Sequence, residues 1–251
     1  MSKPNELADW QDHLEKKLPQ PILVRVYQET RSTQDIAKPF APKMALIIAD
    51  QQTAGRGRLG RSWSSTPGAS VLMSVVWPNL GKTLTHDRVS LLSGLAVARA
   101  VENVLPASKA RLKWPNDVIL DDCKLAGVLI EAMSSAYVIG IGLNVTRKAI
   151  TDPGIAQAST CLEEHGPTMD RLHVIEILVT ELIQALSDSK TDEMLVQWRD
   201  RAALGQTQTF EQAGQQITGE ILDLDPDHGL IVRRDTGEIV TLPAATTSVI
   251  K

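Results

Sequence analysis

The segment Gly55-Arg56-Gly57-Arg58-Leu59-Gly60-Arg61 constrains the fold more than any other feature of the 251-residue chain. Gly55, Gly57 and Gly60 satisfy the dinucleotide fingerprint G-x-G-x-x-G, which requires a helix to open at the loop and an acidic residue roughly twenty positions on. Neither condition is met. The chain continues through Arg61-Ser62-Trp63-Ser64-Ser65-Thr66-Pro67-Gly68 into another apolar strand, and no Asp or Glu lies between Asp50 and Asp87. A Walker loop fails too, since the segment does not run into Gly-Lys-Ser/Thr. A Rossmann or P-loop fold is therefore disfavoured. What remains is a strand–loop–strand unit whose loop carries three guanidinium groups. Glycine lets backbone approach a ligand closely, and arginine offers planar, paired donors to phosphate or carboxylate. In a chain of net charge −4, such a basic loop points to an anionic small molecule; a solvated basic turn is the alternative.

The rest of the pattern reads as α+β. Leu7, Trp10, Leu14 and Leu18 recur at helical spacing before Pro19 and Pro21. Val24 to Tyr27, Ala45 to Ala49 and Val71 to Trp77 read as strands. Ser32 followed by Asp35 resembles a capping box for a short helix that Pro39 ends. Leu91, Leu95, Ala98, Val101 and Leu105 line a long helix up to Pro106. The runs Ala110–Trp114, Val118–Leu120, Leu125–Glu131 and Tyr137–Val145 predict an antiparallel meander, which places Lys113 and Lys124 on neighbouring strands. Leu172 to Leu186 and Met194 to Leu204 predict two more helices. From Gly205 the residues favour short strands separated by Asp227-His228-Gly229 and Asp235-Thr236-Gly237 turns. The expected division is 1–204 and a small β module at 205–251.

Two cysteines, Cys123 and Cys161, match no metal spacing and suit a reducing compartment. The apolar runs are too short to span a bilayer, and Ser2 to Lys17 is mostly polar with both charge signs, so a cytoplasmic protein is expected.

Asp50-Gln51-Gln52-Thr53-Ala54 through Trp63 closely resembles the biotin loop of biotin–protein ligases. Lys113-Trp114-Pro115-Asn116-Asp117, Lys124-Leu125-Ala126-Gly127 and Gly140-Ile141-Gly142-Leu143-Asn144-Val145 resemble their other signatures in order and spacing. Ser32-Thr33-Gln34 stands where the family usually has Ser-Thr-Asn. The resemblance implies a mixed, largely antiparallel sheet with helices, like class II aminoacyl-tRNA synthetases, followed by an SH3-like β-barrel. It also implies activation of biotin by ATP as an acyl-adenylate, then transfer to a lysine of a carboxylase's biotin carboxyl carrier domain.

By that resemblance, Ser32, Thr33 and Gln52 hold the ureido ring, Gln34 also reaches biotin in place of the usual asparagine, and Gly55, Arg56, Gly57, Arg58 and Lys124 contact biotin and its activated carboxyl group. Arg58, Arg61, Trp63, Lys113, Asn116 and Asn144 contact ATP or adenylate. Arg58, Asp117 and Lys124 form the expected catalytic set, with Asp117 near the attacking amine. Read from the residues alone, Gly140 and Gly142 either remove side chains that could block a ligand or are two packing glycines. ATP and Mg2+ are the expected cofactors, with no tightly bound protein metal. The segment Thr146 to Ala158, where the family places a side chain against adenine, has no aromatic residue. A lipoate or octanoyl ligase or transferase and a biotin-responsive regulator stay open as alternatives. DNA and membranes are not expected partners, and a homodimer paired through sheet edges is open.

Overall fold

The apolar runs of the first part of the chain are rich in Val and Ile, which pack well on a pleated surface. In the computed structural model, residues 6–79, 84–150, 158–187 and 191–250 are described. Seven strands, β1 (Leu23–Thr30), β2 (Ala45–Gln52), β3 (Ser70–Pro78), β4 (Arg111–Lys113), β5 (Asp117–Leu120), β6 (Cys123–Ala132) and β7 (Ala136–Asn144), form one sheet. Their order is β1-β2-β3-β7-β6-β5-β4. Between these strands only the β1–β2 pair is parallel. A parallel pair needs a crossover, and here it carries the short helix α2 (Thr33–Ala37). The mixed, largely antiparallel sheet matches the expected fold class.

Helices α1 (Glu6–Lys17), α3 (His86–Val104), α4 (Arg171–Ser187) and α5 (Thr191–Arg199) account for the remaining periodic segments. Leu7, Trp10, Leu14 and Leu18 are buried, as are Leu91, Leu95, Ala98, Val101 and Leu105. Each predicted stripe therefore faces the core. Thr85 caps α3 by accepting the Arg88 N–H at 3.2 Å. Among the described residues no helix is long and apolar enough to cross a membrane.

Three local expectations need correction. Ser32 occupies the N-cap of α2 in extended conformation, but its side chain makes no capping bond. Gln52 does that work instead: its Oε1 accepts the Thr33 N–H at 2.7 Å. Lys113 and Lys124 are not on neighbouring strands, because β5 lies between β4 and β6. The last helix ends at Arg199 rather than Leu204. The chain turns there so that the Arg201 carbonyl can accept from Leu112 N–H at 2.9 Å, while its guanidinium pairs with Glu102 at 2.6 Å.

Beyond Gly205, strands β8 (Thr207–Gln212), β9 (Gln215–Asp225), β10 (Gly229–Arg234), β11 (Ile239–Leu242) and β12 (Thr247–Ile250) form an antiparallel sheet in the order β11-β10-β9-β8-β12. This fits the expected SH3-like module; β12 was not foreseen. Phe210, Leu230 and Ala244 join the same buried cluster as α3 and the large sheet. Charged contacts also cross the junction: Arg88 holds Asp227 at 2.6 Å, and Arg199 holds Asp223 at 2.7 Å.

Asp50, near the end of β2, is fully buried and paired with Arg171 of α4 at 2.7 Å. Its other bonds come from Gly68 N–H at 3.1 Å and Gln28 at 3.3 Å. The basic loop is thereby pinned at both ends, 50 and 68.

Candidate active site

The loop between those pins folds back on itself. Gly57 N–H donates to the Arg61 carbonyl at 2.7 Å, and Trp63 N–H to the Gly55 carbonyl at 3.0 Å. Leu59 (φ 52°) and Gly60 (φ 75°) turn the tip in the left-handed region, leaving Leu59 exposed. Beneath the loop lies a cavity of about 1110 Å3. Its walls come from the start of α2, the loop, the β4–β5 turn, β6, β7 and β12.

Of the residues expected at the site, Ser32, Thr33, Gln34, Gln52, Arg56, Gly57, Arg58, Arg61, Trp63, Lys113, Asn116, Asp117, Lys124 and Asn144 all line this cavity. Gly55 does not. It is buried against Trp63, where an added Cβ would stand 2.4 Å from the Trp63 carbonyl oxygen, so it shapes the loop's base instead.

The cations of the site differ in what they face. The Lys124 ammonium pairs with Asp117 at 2.5 Å and lies 5.5 Å from the Trp63 ring centroid. Arg58 donates to Asn116 Oδ1 at 3.4 Å and to the Ala244 carbonyl of the β module. Burial pulls its pKa below the ordinary guanidinium value, opposed by the charge of Asp117. Arg56, by contrast, is held by two carboxylates, Glu131 at 2.8 Å and Asp35 at 2.9 Å. Across from the loop, Thr33 Oγ1 donates to Gln52 at 3.1 Å. Asn144 Nδ2 donates to the Thr160 carbonyl at 3.0 Å, which leaves its amide oxygen for a ligand.

Asp87, in the first turn of α3, meets the β module by accepting the Ala244 N–H. Burial raises its carboxyl above the usual range, and that N–H partly offsets the shift. The same residue, Ala244, thus touches Asp87 through its N–H and Arg58 through its carbonyl.

Gly140 and Gly142 of β7 both line the cavity, and the side chains they omit would meet residues of the chain itself. A Cβ on Gly142 would lie 2.4 Å from the Trp63 ring, and one on Gly140 3.0 Å from the Gln34 side chain. The space they vacate is filled by the chain's own Trp63 and Gln34. Gly142→Ala is therefore expected to push the indole off the sheet and cost roughly 1–3 kcal/mol, the usual scale of overpacking. A denaturant melt followed by tryptophan emission measures this; an unchanged midpoint would show that the indole has room to move.

Around these side chains, Gln34 Oε1, Arg56 Nε, Trp63 Nε1 and Trp114 Nε1 are buried polar atoms without a hydrogen-bond partner. Buried polar atoms are nearly always satisfied, and of the nine such orphans among the described residues four belong to residues that line this cavity. Sequence reasoning missed Ser248, Val249 and Ile250 of β12, and Ala149 and Ile150, all on the cavity wall. It also missed Glu131, whose only signal was a charge ending an apolar strand. Part of the segment expected to meet adenine, 151–157, lies outside the described residues. Among the described residues no group of three or more His, Cys, Asp or Glu converges as a metal site.

Comparison with known proteins agrees with this geometry. Residues 24–145 match the model of the Biotin/lipoate A/B protein ligase family. The chain is 32% identical over 207 residues to "Biotin--[acetyl-CoA-carboxylase] ligase" from Mycobacterium tuberculosis, taking in 79% of this chain and 76% of that protein. The chain belongs to the biotin/lipoate A/B protein ligase family.

Every expected site residue of this family member, from Ser32 to Asn144, falls within the matched span. Against "Bifunctional ligase/repressor BirA" from Escherichia coli the identity is 37% over 144 residues, 55% of this chain and 44% of that protein. The chain thus spans about half the length of that relative. The solved structure of a biotin protein ligase from Aquifex aeolicus in complex with biotin and ATP is similar at a TM-score of 0.80 and 28% identity, covering 91% of this chain and 98% of that one.

Proposed function

We propose that this family member joins biotin to AMP and then transfers the biotinyl group to a lysine of a carboxylase carrier domain. The single observation that carries the reading is one cavity that gathers Arg58, Lys124, Asp117, Asn116 and Asn144 beneath a basic glycine loop. The names of the M. tuberculosis relative and of the Aquifex complex support the substrates. The division into a catalytic unit, 1–204, and a β module, 205–251, is part of the proposal, with β12 closing the cavity from the module's side.

In the first step a biotin carboxylate oxygen attacks the α-phosphorus of ATP, a P–O bond breaks, and pyrophosphate leaves. Two anions must meet, so cations placed where charge accumulates lower the barrier. Lys124 serves between carboxylate and α-phosphate, and Arg58 holds the adenylate phosphate. Arg61, Lys113 and Asn116 face the nucleotide, with Trp63 as an apolar wall. Ser32, Thr33, Gln34 and Gln52 present donors and acceptors to the ureido ring. In the second step the acceptor amine attacks the acyl carbon and AMP leaves. A protonated amine cannot attack, and in this reading Asp117 is the carboxylate that takes its proton.

Mg2+ would enter with the nucleotide phosphates and offset their charge. The Asn144 amide oxygen suits such a hard cation, and with no acidic cage in the described residues most of its ligands would come from phosphate and water.

Titrating the purified chain with biotin, with and without Mg-ATP, and following pyrophosphate release tests the reading. Biotin-dependent pyrophosphate is expected, with none when lipoate or octanoate replaces biotin. Release that ignores biotin would overturn it.

A further inference from the structure

We propose that Glu131 is the positioning residue that ties the glycine–arginine loop to the central sheet, acting through Arg56. Its ligand assay rests on the biotin reading above; its structural assay does not.

Glu131 stands near the end of β6, opposite Val138 of β7. It is not on the cavity wall, yet its carboxylate gathers the groups behind that wall. Oε1 accepts from Arg56 Nη1 at 3.2 Å and pairs with Lys38 at 3.1 Å. Oε2 accepts from Arg56 Nη2 at 2.8 Å and from Gln34 Nε2 at 2.9 Å. Both oxygens are thus doubly engaged, and the arginine is held by its fork. Asp35 of α2 closes the other side of Arg56 at 2.9 Å and reaches Lys38 at 3.6 Å.

Two cations and two anions therefore balance within the cluster. The Arg56 charge is consumed inside the protein, unlike that of Arg58, which meets only neutral acceptors in its hydrogen bonds. Arg56 is accordingly a tether, and its backbone rather than its guanidinium is what the loop offers to a ligand. The bonds from Gly57 to Arg61 and from Trp63 to Gly55 shape the loop but do not fix it to the sheet. Backbone bonds from Thr53 N–H to Thr30 and from Ala54 N–H to Arg31, both 2.9 Å, hold the loop's start beside α2, and Glu131 adds the side-chain attachment farther along, at Arg56. It also holds Gln34, so the ureido side of the pocket and the loop share one anchor. The Glu131 side chain is 26% exposed and that of Arg56 36%. A bidentate, partly shielded pair of this kind outweighs a solvated surface bridge.

The test uses the full chain with Glu131→Gln, Arg56→Gln and the double variant. Two readouts are taken: biotin affinity without ATP, and the rate of trypsin cleavage after Arg58 and Arg61, read by mass. Each single variant is expected to weaken biotin binding and speed loop cleavage by about tenfold, on the scale of one charge-assisted contact. The double variant should be no worse than either single, because both remove the same tether. Parent-like binding and cleavage in Glu131→Gln, or effects that add in the double variant, would overturn the proposal. Should Glu131→Gln fail to fold, Arg56→Lys decides: it keeps the charge but not the fork, so parent-like cleavage there also overturns it. If the parent itself does not bind biotin, the ligand reading fails, and the cleavage arm still judges the tether.

Discussion

Lys124→Gln is expected to slow adenylate formation by about 10²–10³ while biotin binding weakens far less. The ammonium lies in the cavity, 2.5 Å from Asp117 and over the Trp63 ring. Gly127 makes room for it: a Cβ there would sit 3.3 Å from the Lys124 Nζ. Glutamine keeps much of the length and can still donate to Asp117, but brings no charge to the point where carboxylate and α-phosphate meet. A contact that strengthens as negative charge develops acts on the rate rather than on ground-state binding. Loss of one preorganised donor of this kind costs roughly 2.7–4 kcal/mol in barrier. The measurement is single-turnover adenylate formation at saturating biotin and Mg-ATP, with circular dichroism as a folding control because Asp117 loses its ion-pair partner. A rate within a few-fold of the parent would take Lys124 off the catalytic list.

Arg58→Ala should make the enzyme lose its intermediate rather than stop making it. The half-buried guanidinium lies among Asn116, Ala244 and the cavity, and in the proposed reaction it grips the adenylate phosphate. Removing a charge-assisted contact weakens retention by roughly 1.5–3 kcal/mol, about ten- to a hundredfold. Activated biotin then escapes and labels bystander lysines. Arg58 also bonds the β module, so Arg58→Lys serves as the control: it restores a charge to the phosphate without the paired donors that reach Asn116 and Ala244 together. Adenylate release from Arg58→Ala at the parent rate, with labelling still confined to the carrier domain, would sink the assignment.

Much of this was legible before any coordinates. Helical stripes such as Leu91 to Leu105 are read directly from spacing, because burying one face of a helix demands that period. The loop's rejection as a dinucleotide site followed from what came after it, a strand rather than a helix. Fourteen of the fifteen expected site residues share one cavity; Gly55 is the exception. What escaped was set by tertiary partners. Nothing local to Ser32 reveals that Gln52 of another strand takes the Thr33 N–H and leaves the serine without a capping role. For Gly140 and Gly142, sequence does not choose between clearing a ligand's path and packing, because it cannot show that Gln34 and Trp63 fold into those gaps while both glycines still line the cavity. The strand β12 is four residues long after Pro243, too short to carry a period, and it exists through pairing with β8.

The bond from Arg58 to the Ala244 carbonyl joins positions 186 residues apart. In the order of synthesis, the loop arginine is made long before the peptide group that receives it. The cavity wall is therefore complete only where Ala244 and the last strand, β12, have come back to the loop. A ligand that binds the complete cavity stabilises the folded chain by mass action. Loop closure over so long a separation is also slow relative to local helix formation. A chain cut short before Ala244 would therefore carry the loop arginine and lack both the carbonyl that receives it and the β12 wall of the cavity.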